Sequence, residues 1–195
     1  MAYTYAIIEA QVRANVNDTT APVTQEIDDA INLLSNFFSL KKISTSIATV
    51  ASQAYIDKPT NTIVVERLKI GTDEYKETSL AKLGDVEDDE TKNWYDYNDK
   101  LQISPTPTAI TTTKIWYRAG FTALTGAGST DVPDRLVPLL VILATWLYYV
   151  QMVSKVGTAR ENFPDMTPKE AGDLATEWKK QFDSLLASIK STKQV

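Results

Sequence analysis

The sequence predicts an α+β fold, with N-terminal helices, a small antiparallel β-sheet insertion of about four strands, and two long C-terminal helices packed as a helical bundle. Three observations carry that expectation. Apolar residues recur at helical spacing towards both ends, as Ile27, Ile31, Leu34 and Phe38 and again as Leu174, Trp178, Leu185 and Ile189. Between them the chain is rich in β-branched residues punctuated by Gly, Pro, Asn and Asp. The stretch from Leu136 to Val153 is apolar nearly all round, as in a helix covered on several sides.

Taken in order, Tyr3 to about Val16 reads as a short helix with Ile7, Ile8 and Val12 on one side, and "NVNDTTAP" interrupts it. Thr24 is the expected cap of a second helix, whose Glu26, Asp28 and Asp29 lie where acids favour the positive dipole end. After Lys41-Lys42, "ISTSIATVASQAYI" has strand composition, "DKPTN" is a turn, and "TIVVERLKIG" is a second strand ending at Gly71. "TSLAKLG" suits a single helical turn. Next comes "NWYDYNDKLQISPTP", which reads as a hairpin turning at "NDK", with Pro105 and Pro107 ending the return strand because they cannot donate ladder hydrogen bonds. "TAITTTKIWYRAGF" supplies the last strand, with Ile110, Ile115 and Tyr117 as inward candidates.

In the last third, Asp131 and Pro133 suit the start of a helix running to about Val156, with Pro138 either kinking it or lying in its first turn. Thr167, Pro168 and Glu170 form a capping-box signature for the final helix. The predicted organisation is one domain over residues 1–195, helical in 1–42 and 131–192, with a β subdomain at 43–119 and a flexible loop at 120–131.

Composition narrows the function. The 195 residues are 43% hydrophobic and 23% charged, ordinary for a globular chain, and the net charge of −5 argues against a general nucleic-acid binder. Cysteine and histidine are both absent, which removes serine triads, histidine dyads, thiol nucleophiles and zinc hydrolase sites within this chain. The expectation is therefore no enzyme and no cofactor. The N-terminal residues lack the cationic start and cleavage pattern of a signal peptide. Pro138, Thr145 and Gln151 interrupt Leu136–Val153, so a core helix is expected there rather than a membrane span, and no membrane partner.

Several clusters invite chemistry. Asp85, Glu87, Asp88, Asp89 and Glu90 resemble a cation site by number, but lack the ligand alternation and central glycine of a calcium loop, so an exposed acidic loop is the simpler reading. The segment containing Gly126, Gly128 and Ser129 lacks the Gly-Lys-Ser/Thr ending of a phosphate loop. Trp94, Tyr95 and Tyr97 look like a ligand platform, yet strand alternation puts Trp94 on the opposite face from the two tyrosines. A carbohydrate- or peptide-binding module using Tyr95 and Tyr97 is the alternative function.

"WYDYNDKLQISPTPTAITTTKIWYRAGF" followed by "VPDRLVPLLVILATWLYYVQ" resembles the head-to-tail adaptor (connector) proteins of tailed bacteriophages. That family shows a Tyr-rich strand, a short turn, an L-x-I/L-x-P-x-P return strand, a further strand ending near Tyr, a variable loop and a P-x-x-L start to an apolar helix. "ATVASQAYI", "IVVERLKIG" and "TAPVTQEIDDAINLLSNFF" resemble its earlier elements. The resemblance implies a structural virion protein at the neck, made in the bacterial host cytoplasm. It would form a ring of about twelve copies beneath the portal, join capsid to tail and extend the DNA channel. It implies a homo-oligomer touching portal protein, stopper or tail proteins and, without specificity, passing DNA. Leu185, Leu186, Ile189, Lys190 and Lys193 are the portal-docking candidates by position. The acidic run would face the channel or solvent, and Gly126, Gly128 and Ser129 a partner. Another neck ring protein, a stopper or tail terminator, is a further alternative.

Overall fold

The computed structural model describes residues 3–79, 91–122, 130–155 and 166–191. The chain divides into two compact units, one formed by Met1–Phe37 with Phe121–Val195 and the other by Phe38–Gly120.

The first unit is helical. Helices α1 (Tyr5–Asn15) and α2 (Thr24–Phe37) precede a 3-10 turn at Asp134–Leu136 that runs into α3 (Val137–Lys155), and α4 (Pro168–Ser191) completes the described elements. Helix α3 packs against α1, α2 and α4. The interior is built from Ile8 and Val12 of α1, Ile27, Ile31 and Leu34 of α2, and Leu139, Leu140, Leu143 and Ala144 of α3, all 1% exposed or less. Residues 134–154 have the length and mean hydropathy (1.9) to cross a membrane, but 61% of that segment is buried inside the structure. The cover that so apolar a helix needs therefore comes largely from its own unit.

Several local expectations change. Ile7 is 39% exposed, leaving Ile8 and Val12 as the buried side of α1. Thr24 is the first helical residue rather than the cap, since the Ile27 N–H already reaches the Val23 carbonyl. Of the three acids in α2, Glu26 alone lies in the first turn. Asp131 does not cap α3; its carboxylate accepts from the Thr122 N–H (2.8 Å) and hydroxyl (3.1 Å). Pro138 sits in the first turn of α3, where its missing N–H costs little. The capping box of α4 forms as expected. Glu170 accepts from the Thr167 N–H (2.8 Å) and hydroxyl (2.7 Å), and the Glu170 N–H reaches Thr167 Oγ1 at 3.3 Å.

The second unit holds a mixed sheet rather than a four-stranded antiparallel one. Among the described residues it has seven strands: β1 (Leu40–Ser44), β2 (Tyr55–Asp57), β3 (Thr62–Ile70), β4 (Asp73–Glu77), β5 (Asn93–Tyr97), β6 (Lys100–Ser104) and β7 (Thr113–Ala119). Their order is β1-β7-β3-β4-β5-β6-β2, antiparallel throughout except for the parallel pair β4–β5. Helical structure therefore ends at Phe37, short of residue 42. The segment expected as one strand over 43–56 is interrupted where side-chain hydroxyls on it and on β7 engage backbone groups. Thr49 Oγ1 accepts from the Thr111 N–H (2.8 Å) and donates to the Ala109 carbonyl (3.0 Å), while Thr113 Oγ1 donates to the Ile47 carbonyl (2.7 Å). Ser52 then takes φ +63°.

The core of this sheet unit comprises Ile56, Val65, Leu68, Ile70, Tyr75, Trp94, Leu101, Ile103, Ile115, Tyr117 and Ala119. Ile115 and Tyr117 point inward as expected, but Ile110 lies outside β7 and is 76% exposed.

Candidate functional site

The hairpin β5–β6 turns through Asn98-Asp99, with Tyr97 paired to Lys100 and Asn98 at φ +52°. Trp94 faces inward, 1% exposed, opposite Ile103. Tyr95 and Tyr97 share the other face, their ring centroids 6.3 Å apart. Gln102 lies opposite both Tyr95 and Tyr55, so the outward face of β5, β6 and β2 carries three tyrosines around one amide. The Lys100 ammonium lies 4.7 Å from the Tyr55 ring centroid and pairs with Asp57, which raises its pKa. Alternation thus separates the three aromatics of "NWYDY" into one core residue and two surface residues.

A different face is exposed on β1, β7, β3 and β4. Register places Lys41 opposite Arg118 and Ile43 opposite Trp116 across β1–β7, and Val64, Arg67 and Lys69 opposite Arg118, Trp116 and Lys114 across β3–β7. Glu74 lies opposite Lys69, with Lys76 two residues further along β4. Arg67 grips Glu74 in a two-point ion pair (2.5 and 2.6 Å), and Arg118 donates to Glu66 at 2.6 Å; both carboxyls are held below their usual range by these hydrogen bonds. The Arg67 guanidinium and the Lys114 ammonium each lie 4.9 Å from the Trp116 ring centroid. Sequence reading missed this grouping. Register shifts at Thr62/Val64 and Val65/Arg67 break the alternation of β3, and β1, β3 and β7 are far apart in the chain.

A cavity of about 550 Å³ lies between the β3–β4 turn and the segment after β6, lined by Gly71, Asp73, Tyr75, Pro105, Pro107 and Thr111 among others. Burial pushes the Tyr75 hydroxyl pKa up. No spacing pattern links Gly71 to the two prolines, so nothing in the order of residues marks this cavity.

In the helical unit, Phe182 of α4 stacks on Trp146 (6.5 Å) and meets Phe37 edge-on (5.9 Å). Among the docking candidates, Leu186 is buried, Leu185 and Ile189 are half-buried, and Lys190 is exposed with its ammonium 5.3 Å from the Phe37 ring centroid. Leu186 thus serves the packing of its own unit, as Ala171, Ala175 and Phe182 do. Lys193, the acids Asp85, Glu87, Asp88, Asp89 and Glu90, the loop residues Gly126, Gly128 and Ser129, and the expected turn at "TSLAKLG" beyond Ser79 lie outside the described residues.

Among the described residues no group of three or more Asp or Glu side chains could hold a metal ion. What the two units present instead are surfaces: a tyrosine face, a cationic face and a helical face with aromatic packing. The chain belongs to the SU10 adaptor protein family, whose model matches residues 3–195. It is accordingly a structural adaptor of a bacteriophage, a virion component at the head–tail junction whose contacts are with other phage head and tail proteins. No curated protein matches the sequence.

Proposed function

We propose that the protein assembles as a closed ring beneath the portal, joins the capsid to the tail and extends the channel through which DNA passes. The supporting observation is the family match, which runs through both units from residue 3 to 195. It acts without catalysis or cofactor, by presenting surfaces to neighbours on either side. Net negative charge suits a channel wall along which DNA must slide. Leu185, Ile189 and Lys190, towards the end of α4, are the proposed portal contacts.

Mixing the purified full chain with portal complexes from the same virion and imaging by electron microscopy tests this reading. A ring of added density on one end of the portal is expected, and absence of binding overturns it. Deleting Ser184–Val195 is a poor probe of docking because it removes buried Leu186. Leu185→Ser and Ile189→Ser are better, and should weaken portal binding while leaving helix content intact.

A binding module built on Tyr95 and Tyr97 is the second reading, favoured by the proximity of Tyr55 and Gln102 on the same face. Tyr95→Ala with Tyr97→Ala should then abolish retention on a glycan array without unfolding; unchanged retention, or none in the parent chain, rejects it.

A further inference from the structure

We propose that the sheet unit is an independently folding insert, joined to the helical unit by a two-strand hinge at Phe38-Ser39 and Gly120-Phe121. The chain passes between the units after Phe37 and again after Gly120. These two crossings are neighbours. Strand β1 opens at Leu40, strand β7 closes at Ala119, and the two residues lie directly opposite each other in the antiparallel pair. Paired strands lie about 5 Å apart. Two attachments so close define an axis, about which one body turns without stretching the chain; widely separated attachments would forbid it.

Each side of the exit is tied to its own unit. The Gly120 N–H donates to the Asn61 carbonyl at 2.9 Å, which holds the end of β7 beside the start of β3. The next amide, that of Phe121, donates to Ser35 Oγ at 2.9 Å, and the Ser35 hydroxyl donates in turn to the Ile31 carbonyl of α2 at 2.9 Å. The change of unit therefore falls on the single step from residue 120 to 121, between two anchored amides. At the entry, α2 ends at Phe37 and β1 begins at Leu40, so Phe38 and Ser39 belong to neither element.

Independence follows from the cores. The sheet core is drawn wholly from residues between Ile56 and Ala119, and the helical interior from α1, α2 and α3. Every strand pairs with another strand, and α1, α2 and α4 pack on α3. Phe38–Gly120 also exceeds the roughly 50 residues that a small domain needs. In a protein that presents surfaces to neighbours, such a device lets the sheet faces and the helical face be aimed separately. The inference goes beyond the ring reading and does not rest on it.

Two measurements on the full chain test it. The chain has no cysteine, so nitroxide labels go only where cysteines are introduced. Thr72→Cys with Asp99→Cys reports within the sheet unit, Gln11→Cys with Lys180→Cys within the helical unit, and Thr72→Cys with Lys180→Cys between them; all four positions are exposed. Dilution with unlabelled chain restricts pulsed electron-resonance distances to a single copy. The distribution between units should be at least about twice as wide as either one within a unit. A distribution equally narrow overturns the hinge. Independent folding is read in urea from Trp94 and Trp116 of the sheet unit and Trp146 and Trp178 of the helical unit, with one pair at a time replaced by Phe. Ile115→Val should lower the midpoint of the sheet pair by about 0.5 M and move that of the helical pair by less than about 0.1 M. Ile31→Val should do the reverse, since both isoleucines are fully buried in their own units. Equal shifts of both reporters with either variant overturn the independence.

Discussion

Replacing neighbouring aromatics of the β5–β6 hairpin should have opposite consequences. Trp94 is 1% exposed within the sheet core, whereas Tyr97 is 49% exposed at the turn. A buried Trp removes about 150–250 Å² of surface from water. At about 25 cal/mol per Å² that is about 4–6 kcal/mol, and measured Trp→Ala losses in cores run at about 3–5 kcal/mol. We therefore expect Trp94→Ala to cost about 4 kcal/mol. With a urea dependence of about 2 kcal/mol per M, the unfolding midpoint should fall by about 2 M. Tyr97→Ala gives up its contact with Tyr95 and little else, about 0.5 kcal/mol, or about 0.3 M. Far-UV circular dichroism, together with fluorescence in a Trp146→Phe, Trp178→Phe background that leaves only the sheet-unit tryptophans, follows the transition, and Trp94→Phe should recover more than half of the loss. Equal midpoint shifts for Trp94→Ala and Tyr97→Ala would refute the assignment of these aromatics to opposite faces.

Four further outcomes are expected. Thr167→Ala removes one partner of the capping box and should cost about 1 kcal/mol, with faster amide exchange in the first turn of α4 as the local readout. Glu170 is held below its usual pKa by the Thr167 N–H and hydroxyl, so its contribution is present above the unfolded carboxylate range and lost as pH falls through the lower folded value. Protection factors in that turn, with the intrinsic pH dependence of exchange divided out, should accordingly fall between about pH 5 and 3 in the parent chain, and less so in Glu170→Gln. Gly71 has φ +59°, and a Cβ there would meet Thr111 Cγ2 at 3.2 Å, so Gly71→Ala should lower the thermal midpoint, by about 1–2 kcal/mol in stability terms. Burial pushes the Tyr148 pKa up to about 12; stability from its neutral form is complete below pH of about 10 and lost as pH rises towards the folded value, so thermal midpoints should fall less steeply above pH 10 in Tyr148→Phe.

What was legible in the sequence was local and periodic. The spacing of Ile27, Ile31 and Leu34 gave the buried face of α2, Thr167-Pro168 gave the start of α4, and alternation across Trp94–Tyr97 gave the faces of the hairpin. What escaped was set by pairing at long range. Residues 45–54 look like a strand by composition, but Thr49 and Thr113 spend their hydroxyls on backbone groups far along the chain. The register shifts in β3 put Val65 and Leu68 three apart on one face, where a period of two would have separated them. Strand β4, with a single buried residue, Tyr75, among four exposed polar ones, has almost no hydrophobic pattern to read. The parallel pairing of β4 with β5 leaves no mark on either strand's composition.

The same distinction governs the candidate surfaces. Net charge is a sum over the chain, and the value of −5 argues against a general nucleic-acid binder without saying where cations gather. Strand order groups cations locally, because it brings β1, β7 and β3 side by side although they span residues 40 to 119. Their lysines and arginines are single letters scattered between hydrophobic residues, and no run of basic residues announces them. Only register places Lys41 across from Arg118 and Lys69 across from Lys114. The sheet itself offsets these like charges, since Glu74 lies opposite Lys69 and Glu66 pairs with Arg118, and that too is a matter of pairing and not of composition.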